Sequence, residues 1–368
     1  MIKDARSFSD DAVLRADVCI IGAGVAGTTL AREFIGRSVT VLLVESGGSS
    51  PSPETQELAK GEVTGQPYYE LDRSGKRGVG GTGWGWTIDL PDGTTGVRLR
   101  ALDPIDFEER PEIPYSGWPL SWAEMVPYYE RAHRVFQLGS YRPNAEDWES
   151  LPAPPLQMDG TGARTTIFQF GRARLFTDRY PMQLAQAANV TVLTNATVLE
   201  LGTNGSADRV QTAQAQTLTG TSIRIESSQF VVAAGGLQTP RLLLLSNRNQ
   251  PEGLGNQQDL VGRFFMEHPH TIKQRPDAGS FRPAKSVRHD LGLYQRIQEV
   301  NGDALLGYLS PTEERLRGEG LANYCCNSER SRGIFLGLTA RFGEVSRLRS
   351  KRLALGLRSC RHYTKIDA

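Results

Sequence analysis

The chain has no apolar run near the roughly 18 residues that a membrane-spanning helix needs, and its first fifteen residues carry Asp4, Asp10 and Asp11 where an export signal would have its apolar core. Neither a membrane span nor an export leader is expected, and a cytoplasmic location is. Cysteine is scarce, four in 368 residues, which excludes a disulfide framework. Cys19 falls in an apolar strand pattern and reads as a small buried hydrophobe, while Cys325 and Cys326 read as two free thiols because adjacent cysteines close a ring only with strain. Net charge is nearly absent at +1, which excludes a supercharged nucleic-acid binder, and 39% hydrophobic with 23% charged residues excludes a disordered chain. No G-x-S-x-G, H-E-x-x-H, C-x-x-C or Walker loop occurs, so nucleophilic hydrolysis, zinc chemistry and ATP hydrolysis have nothing to build on. His268 and His270 lack a partner cysteine or second histidine pair at ligand spacing, so no metal site is expected.

What the chain does have is length for two domains and 39 glycines, well above the usual ~7%. The densest information is at the start. Ala16 to Ile21 is an apolar strand pattern, Gly22-Ala-Gly24-Val-Ala-Gly27 comes next, Thr28 to Ile35 reads as a helix closed by Gly36, and a second apolar run, Val39 to Val44, ends in Glu45. In such a βαβ unit Gly22 permits the tight turn, Gly24 lets backbone approach a pyrophosphate, and Gly27 lets helix pack on strand. Free amides at the helix start meet negative phosphates. Glu45 stands where a carboxylate accepts the adenosine ribose hydroxyls and repels a 2′-phosphate, so NADP is disfavoured.

Further on, Arg77 to Trp86 has glycine at five of ten positions, including Gly80, Gly81, Gly83 and Gly85. Such a loop offers consecutive amides as a cradle, with Trp84 and Trp86 as flat faces; equally, it is a surface loop that its tryptophans anchor. Ser121 and Glu124 form a capping box before Trp122, Met125, Tyr129, Ala132 and Phe136 at helical spacing, a core stripe, and His133 on it reads as an ordinary packed or surface histidine. Residues 141–165 are polar and rich in turn formers, a crossing between domains. Asp178 to Ala188 reads as a helix, and Val190 to Thr194 and Ala196 to Leu201 as strands around Asn195. Phe230 to Ala234 is an apolar strand meeting Gly235 and Gly236, after which Thr239 as N-cap and Pro240 at the first helical position open a leucine-rich helix.

Residues 329–368 hold ten basic and three acidic residues, leaving a balance of −6 on the rest of the chain. Three readings stand for the tail after 325: a truncation or shifted reading frame, a basic extension contacting an anionic partner, or a charged surface helix.

Taken together, the motifs resemble the N-terminal part of the glucose–methanol–choline family of FAD-dependent oxidoreductases, nearest in look to its pyranose oxidase and sugar dehydrogenase branch. The resemblance runs from about Ala16 to His270 through Gly22 to Gly27 with Glu45, the Gly80-Gly81-Thr82 loop with Trp86, the Ser116-Gly-Trp118-Pro119 and Pro127 to Ala132 segments, and the Ala233-Ala234-Gly235-Gly236 strand–helix. It implies FAD as cofactor. Gly22, Gly24 and Gly27 would take the pyrophosphate and Glu45 the ribose; Gly80, Gly81, Thr82 and Trp86 would lie along pyrophosphate and flavin, Val198 near the adenine, and Ala234 and Gly235 against the cofactor. Some relatives bind flavin covalently through a histidine at the position of Gly85, so here the FAD is expected to be non-covalent. The implied reaction is oxidation of a CH–OH group of a sugar or alcohol by hydride transfer to flavin, with an unspecified electron acceptor and no nucleic-acid partner. The family's C-terminal histidine pair, which supplies the base, has no counterpart, and His362 lacks the expected neighbours, so no catalytic residue is assigned.

The expected architecture is α/β, a doubly wound Rossmann-like FAD-binding sheet with an inserted α+β substrate domain, C-terminally truncated. Residues 1–90 and 176–272 would form the FAD-binding domain, 91–175 a cap or substrate-side insertion, 273–325 the start of the substrate domain, and 326–368 an atypical basic tail. The rival expectation is a non-catalytic, misfolding-prone flavin-binding fragment with an exposed sheet edge. An NAD-dependent dehydrogenase would leave the later motifs unmatched.

Overall fold

The computed structural model describes residues 1–64, 68–85, 88–265, 292–323 and 325. Trp86, His268, His270, His362 and the tail 326–368 lie outside these. In chain order the strands are β1 (Ile2–Asp4), β2 (Ala12–Ile21), β3 (Val41–Val44), β4 (Ile88–Asp89), β5 (Thr95–Leu99), β6 (Ala163–Arg172), β7 (Val190–Thr194), β8 (Thr197–Thr203), β9 (Val210–Gln216), β10 (Ser222–Val232), β11 (Gln298–Val300) and β12 (Asp303–Pro311). The helices that shape the two units include α1 (Val25–Glu33), α2 (Pro53–Gln56), α3 (Trp122–Phe136), α4 (Arg179–Gln186) and α5 (Gly235–Leu245). Among the described residues, no helix is long and apolar enough to cross a membrane.

The chain divides into two compact units, the described residues of 1–87 with 173–265 and those of 88–172 with 292–325. The first is an α/β unit built on a seven-stranded sheet in the order β1-β7-β3-β2-β10-β9-β8, parallel from β1 to β10 and antiparallel from β10 to β8. Val18 to Ile21 and Val41 to Val44 are buried without a polar interruption because both faces of these strands are covered. Ile20 and Leu43 pack on one face with Ala31 of α1 and Leu184 of α4; Cys19 and Leu42 pack on the other with Leu242 of α5. Helices on both faces make the sheet doubly wound. Ile21 pairs with Val44 on one side and with Val232 on the other, so β2, β3 and β10 end level.

The second unit is α+β. Its sheet is antiparallel in the order β11-β12-β6-β5-β4. One face buries Ile167, Leu305 and Leu309 with Trp148 and Tyr294, and the other carries Phe168, Phe170, Leu306 and Tyr308. Helix α3 starts at the expected box: the Glu124 amide donates to Ser121 Oγ at 3.3 Å, and the Ser121 amide to Glu124 Oε2 at 2.8 Å.

Most boundaries differ by a few residues from those the sequence suggests, and β10 begins at Ser222, well before Phe230; three of the differences have a visible cause. Helix α1 begins at Val25 rather than Thr28, because Gly27, a poor helix former in isolation, is here the residue that lets the first turn press on Gly22. Helix α5 begins at Gly235, so Thr239 is not its N-cap and Pro240 lies inside it; the left-handed φ of Gly235 (+84°) makes the turn into the helix ahead of Thr239. Strand β2 starts at Ala12, because its first half, though not uniformly apolar, pairs with β10 from Ile223 onward.

Candidate functional site

Because β2, β3 and β10 end level, the turns that leave them meet at one edge, the carboxyl end where doubly wound sheets bind ligands. After β2, Gly22 takes φ +105° and donates its amide to Val44 O at 2.7 Å. A Cβ on Gly22 would lie 2.5 Å from Ala233 O, and one on Gly27 would lie 1.9 Å from Gly22 O. Both glycines are therefore required by the fold itself. Gly24, the N-cap of α1, differs: a Cβ there would find nothing nearer than Gly81 Cα at 3.9 Å. The first bond across the α1 turn is Thr28 N–H to Gly24 O at 2.9 Å, so the amides of Val25, Ala26 and Gly27 are the helix's N-terminal donors, with no partner among the described residues.

The glycine loop comes to this turn. Gly80 N–H donates to Ala23 O at 2.8 Å, and Gly81, at φ +53°, would carry a Cβ 2.8 Å from Gly24 Cα. Thr82 lies in the 3-10 turn Gly81–Trp84. Trp84 donates Nε1–H to Val79 O at 2.8 Å, the anchoring reading of this tryptophan; Trp86 cannot be placed in the same way, being outside the described residues. On the other side, Ala233 N–H bonds to Ile21 O at 2.8 Å, Ala234 caps α5, and Cβ atoms added to Gly235 or Gly236 would meet none of the described residues within 4 Å. Val198, on β8, packs part-buried against the core under α5.

Glu45 closes the site. It is 6% exposed; Oε2 accepts the Ala23 amide and Oε1 the Gly47 amide, each at 2.9 Å. Burial pushes its carboxyl above the ordinary range, opposed by those amide bonds and by the Arg77 charge. Arg77, Ser46, Gly47 and Gln238 do not stand out in the sequence. The Arg77 guanidinium donates to Ser46 Oγ and to Gln238 Oε1, both at 2.7 Å, and a Cβ on Gly47 would strike Arg77 O at 2.6 Å. The sequence signal for Arg77 is only that a basic residue opens the glycine loop, since its partners are 31 and 161 residues away.

These residues suit a dinucleotide. Among the described residues, backbone at Gly24, Gly235 and Gly236 is open, three helix amides have no partner, and a buried carboxylate lies beside them. Of the site residues expected from sequence, Gly22, Gly24, Gly27, Glu45, Gly80, Gly81, Ala234 and Gly235 converge here, Thr82 sits in the adjoining turn, and Val198 lies on β8. His133, the one histidine among the described residues, belongs to the second unit; it is buried, stacks edge-on against Tyr141 at 5.1 Å, and burial lowers its pKa to about 4.

A sequence model described as FAD dependent oxidoreductase matches residues 17–294. The fructose dehydrogenase large subunit of Gluconobacter japonicus is 26% identical over 334 residues, 70% of this chain and 59% of that protein. Paromamine 6'-oxidase of Streptomyces fradiae is 27% identical, over 76% of this chain and 59% of that protein. The 2-methyl-1,2-propanediol dehydrogenase of Mycolicibacterium austroafricanum is 23% identical, over 69% and 55%. The chain thus spans little more than half the length of the curated relatives it matches.

Proposed function

Because the chain belongs to the FAD dependent oxidoreductase family, matched over residues 17–294, we propose that it is of the glucose–methanol–choline type and oxidises a CH–OH group of a sugar or alcohol. FAD is the cofactor; when bound it supplies the acceptor for a hydride. The observation that carries this reading is the convergence of Gly22–Gly27, Glu45, Gly80–Gly81 and Ala234–Gly235 at the level ends of three parallel strands. Val25, Ala26 and Gly27 present their amides to the pyrophosphate, Glu45 accepts the ribose hydroxyls, and Val198 lies toward the adenine. Gly81, Thr82, Ala234 and Gly235 border the cofactor further along. Gly85 offers no side chain for a covalent link, so the cofactor is held non-covalently. Relatives named for fructose, paromamine and a propanediol support a hydroxyl compound as the small-molecule substrate.

A second reading, FAD binding without turnover, is favoured by one observation: among the described residues the single histidine, His133, is buried, with a pKa that burial lowers to about 4. The full chain is purified, its flavin uptake measured by equilibrium dialysis, and a sugar and alcohol panel assayed with a dye acceptor. Uptake with turnover supports the first reading, uptake without turnover the second, and soluble folded protein that takes up no FAD sinks both.

A further inference from the structure

Arg77 stands at this edge without a place among the groups that meet the cofactor. Its backbone amide donates to Gln56 Oε1 of α2 at 3.1 Å, and its guanidinium reaches three separate segments: Ser46 just after β3, Gln238 in the first turns of α5, and Leu58 O at 3.5 Å. The carbonyl of Arg77 passes so close to Gly47 that no side chain fits there. Nε of the same guanidinium is buried without an acceptor among the described residues, so hydrogen bonding alone does not account for burying this side chain. What the location adds is charge. Glu45 is a carboxylate 6% exposed, and Arg77 is the cation beside it: its guanidinium is held on Ser46, the next residue, and its carbonyl lies against Gly47, whose amide bonds Glu45 Oε1.

We propose that Arg77 is a positioning residue for the dinucleotide: by gripping Ser46 and Gln238 it fixes the exit of β3 against the start of α5, and its charge keeps Glu45 an anionic acceptor for the ribose hydroxyls. This rests on the reading of the edge as the FAD site. An arginine suits the task because its guanidinium stays protonated when buried and holds two acceptors in one plane. An ionised carboxylate bonds hydroxyls more strongly than a neutral one, so affinity depends on Glu45 remaining charged. The groups that face Glu45 are few. The turn after β2 presents the Ala23 amide; Gly47 and Gly78 present amides; Arg77 presents the charge, with Arg241 beyond it acting on Arg77; Ala196, after β7, bonds only the main-chain carbonyl of Glu45. Burial raises the carboxyl pKa; the Gly47 and Ala23 amides oppose that rise first and the Arg77 charge after them, so loss of Arg77 moves the protonation of Glu45 to higher pH.

The test is FAD affinity of the full chain, read by quenching of flavin fluorescence from pH 5 to 9, for wild type, Arg77→Met, Arg77→Lys and Glu45→Gln. Arg77→Met is expected to weaken binding about tenfold at pH 7 and to move the pH at which affinity falls upward. Arg77→Lys, which keeps the charge but cannot hold both Ser46 and Gln238, is expected to weaken binding severalfold with the wild-type pH midpoint, and Glu45→Gln to flatten the profile. A merely structural tie would lower affinity without moving the midpoint, so an Arg77→Met midpoint equal to that of wild type overturns the role of the charge. If Arg77→Met does not fold, Arg77→Lys decides: wild-type affinity in that variant overturns the role of the grip, and a moved midpoint overturns the role of the charge. Wild-type protein that binds no FAD at any pH defeats the underlying site and is distinguishable from either result.

Discussion

The amide of Gly80 donates to the carbonyl of Ala23 at 2.8 Å, joining the glycine loop to the turn after β2. One residue on, Gly81 Cα and Gly24 Cα approach until there is no space for a side chain at Gly81. Two stretches of bare backbone thus lie side by side at the strand ends, and each is shaped by the other.

The glycines of the first motif should separate into fold and ligand classes. Gly27→Ala drives a Cβ to 1.9 Å from Gly22 O, between two backbone segments that cannot yield cheaply, and is expected to cost about 3 kcal/mol or more. Gly24→Ala meets nothing nearer than 3.9 Å and should leave thermal stability nearly unchanged while weakening FAD at least tenfold. Melting curves and dialysis on the two variants check this; equal loss of stability in both would contradict it.

Asp103 is buried between Arg100 Nη2 at 2.7 Å and Arg164 Nη2 at 2.9 Å, and accepts from Asn323 Nδ2 at 2.8 Å. Asp103→Ala would leave two cations facing each other without their shared anion, and should cost about 3–5 kcal/mol in urea unfolding. Exchange of Arg164 for Met in that background should recover part of the loss.

His133 is held neutral by burial, with a pKa lowered to about 4. Its folded-state value lies below the unfolded one, so the stability it contributes is complete above about pH 6.5 and is lost as pH falls toward 4. Denaturant unfolding at pH 7.5 and 4.5 should show wild type losing about 2 kcal/mol more than His133→Gln. Parallel pH dependence in the two proteins would show that the imidazole is not desolvated.

Ser121→Ala removes one half of the box that opens α3 and exposes the Glu124 amide, with an expected cost of about 1 kcal/mol. Thr in its place should restore most of it.

The first strand, its turn, the second strand and Glu45 are legible in the sequence because each signal is local: apolar runs buried on both faces, glycines at a turn, an acid at a strand end. The start of α5 is not, because Thr239-Pro240 is a sound local N-terminus, yet the level end of β10 and the left-handed Gly235 begin the helix earlier. Trp84 can be read equally as a flat face or as an anchor, and the carbonyl that decides it, Val79 O, is a matter of loop conformation rather than of residue type. Arg77 escapes notice for the opposite reason: its role is made wholly by distant residues, Ser46 and Gln238, which no periodicity connects.

Strand β2 draws its longest partner, β10, from residues 223–232, about two hundred positions later in the chain. At a synthesis rate of about 5–20 residues per second, β2 waits on the ribosome for roughly 10–40 s before that neighbour emerges. During this interval the nascent sheet has an open edge of Val18, Cys19, Ile20 and Ile21, apolar and able to pair with other chains. Yield of native protein should therefore respond to translation speed and chaperone supply, and refolding from denaturant should be slow for a chain of this size.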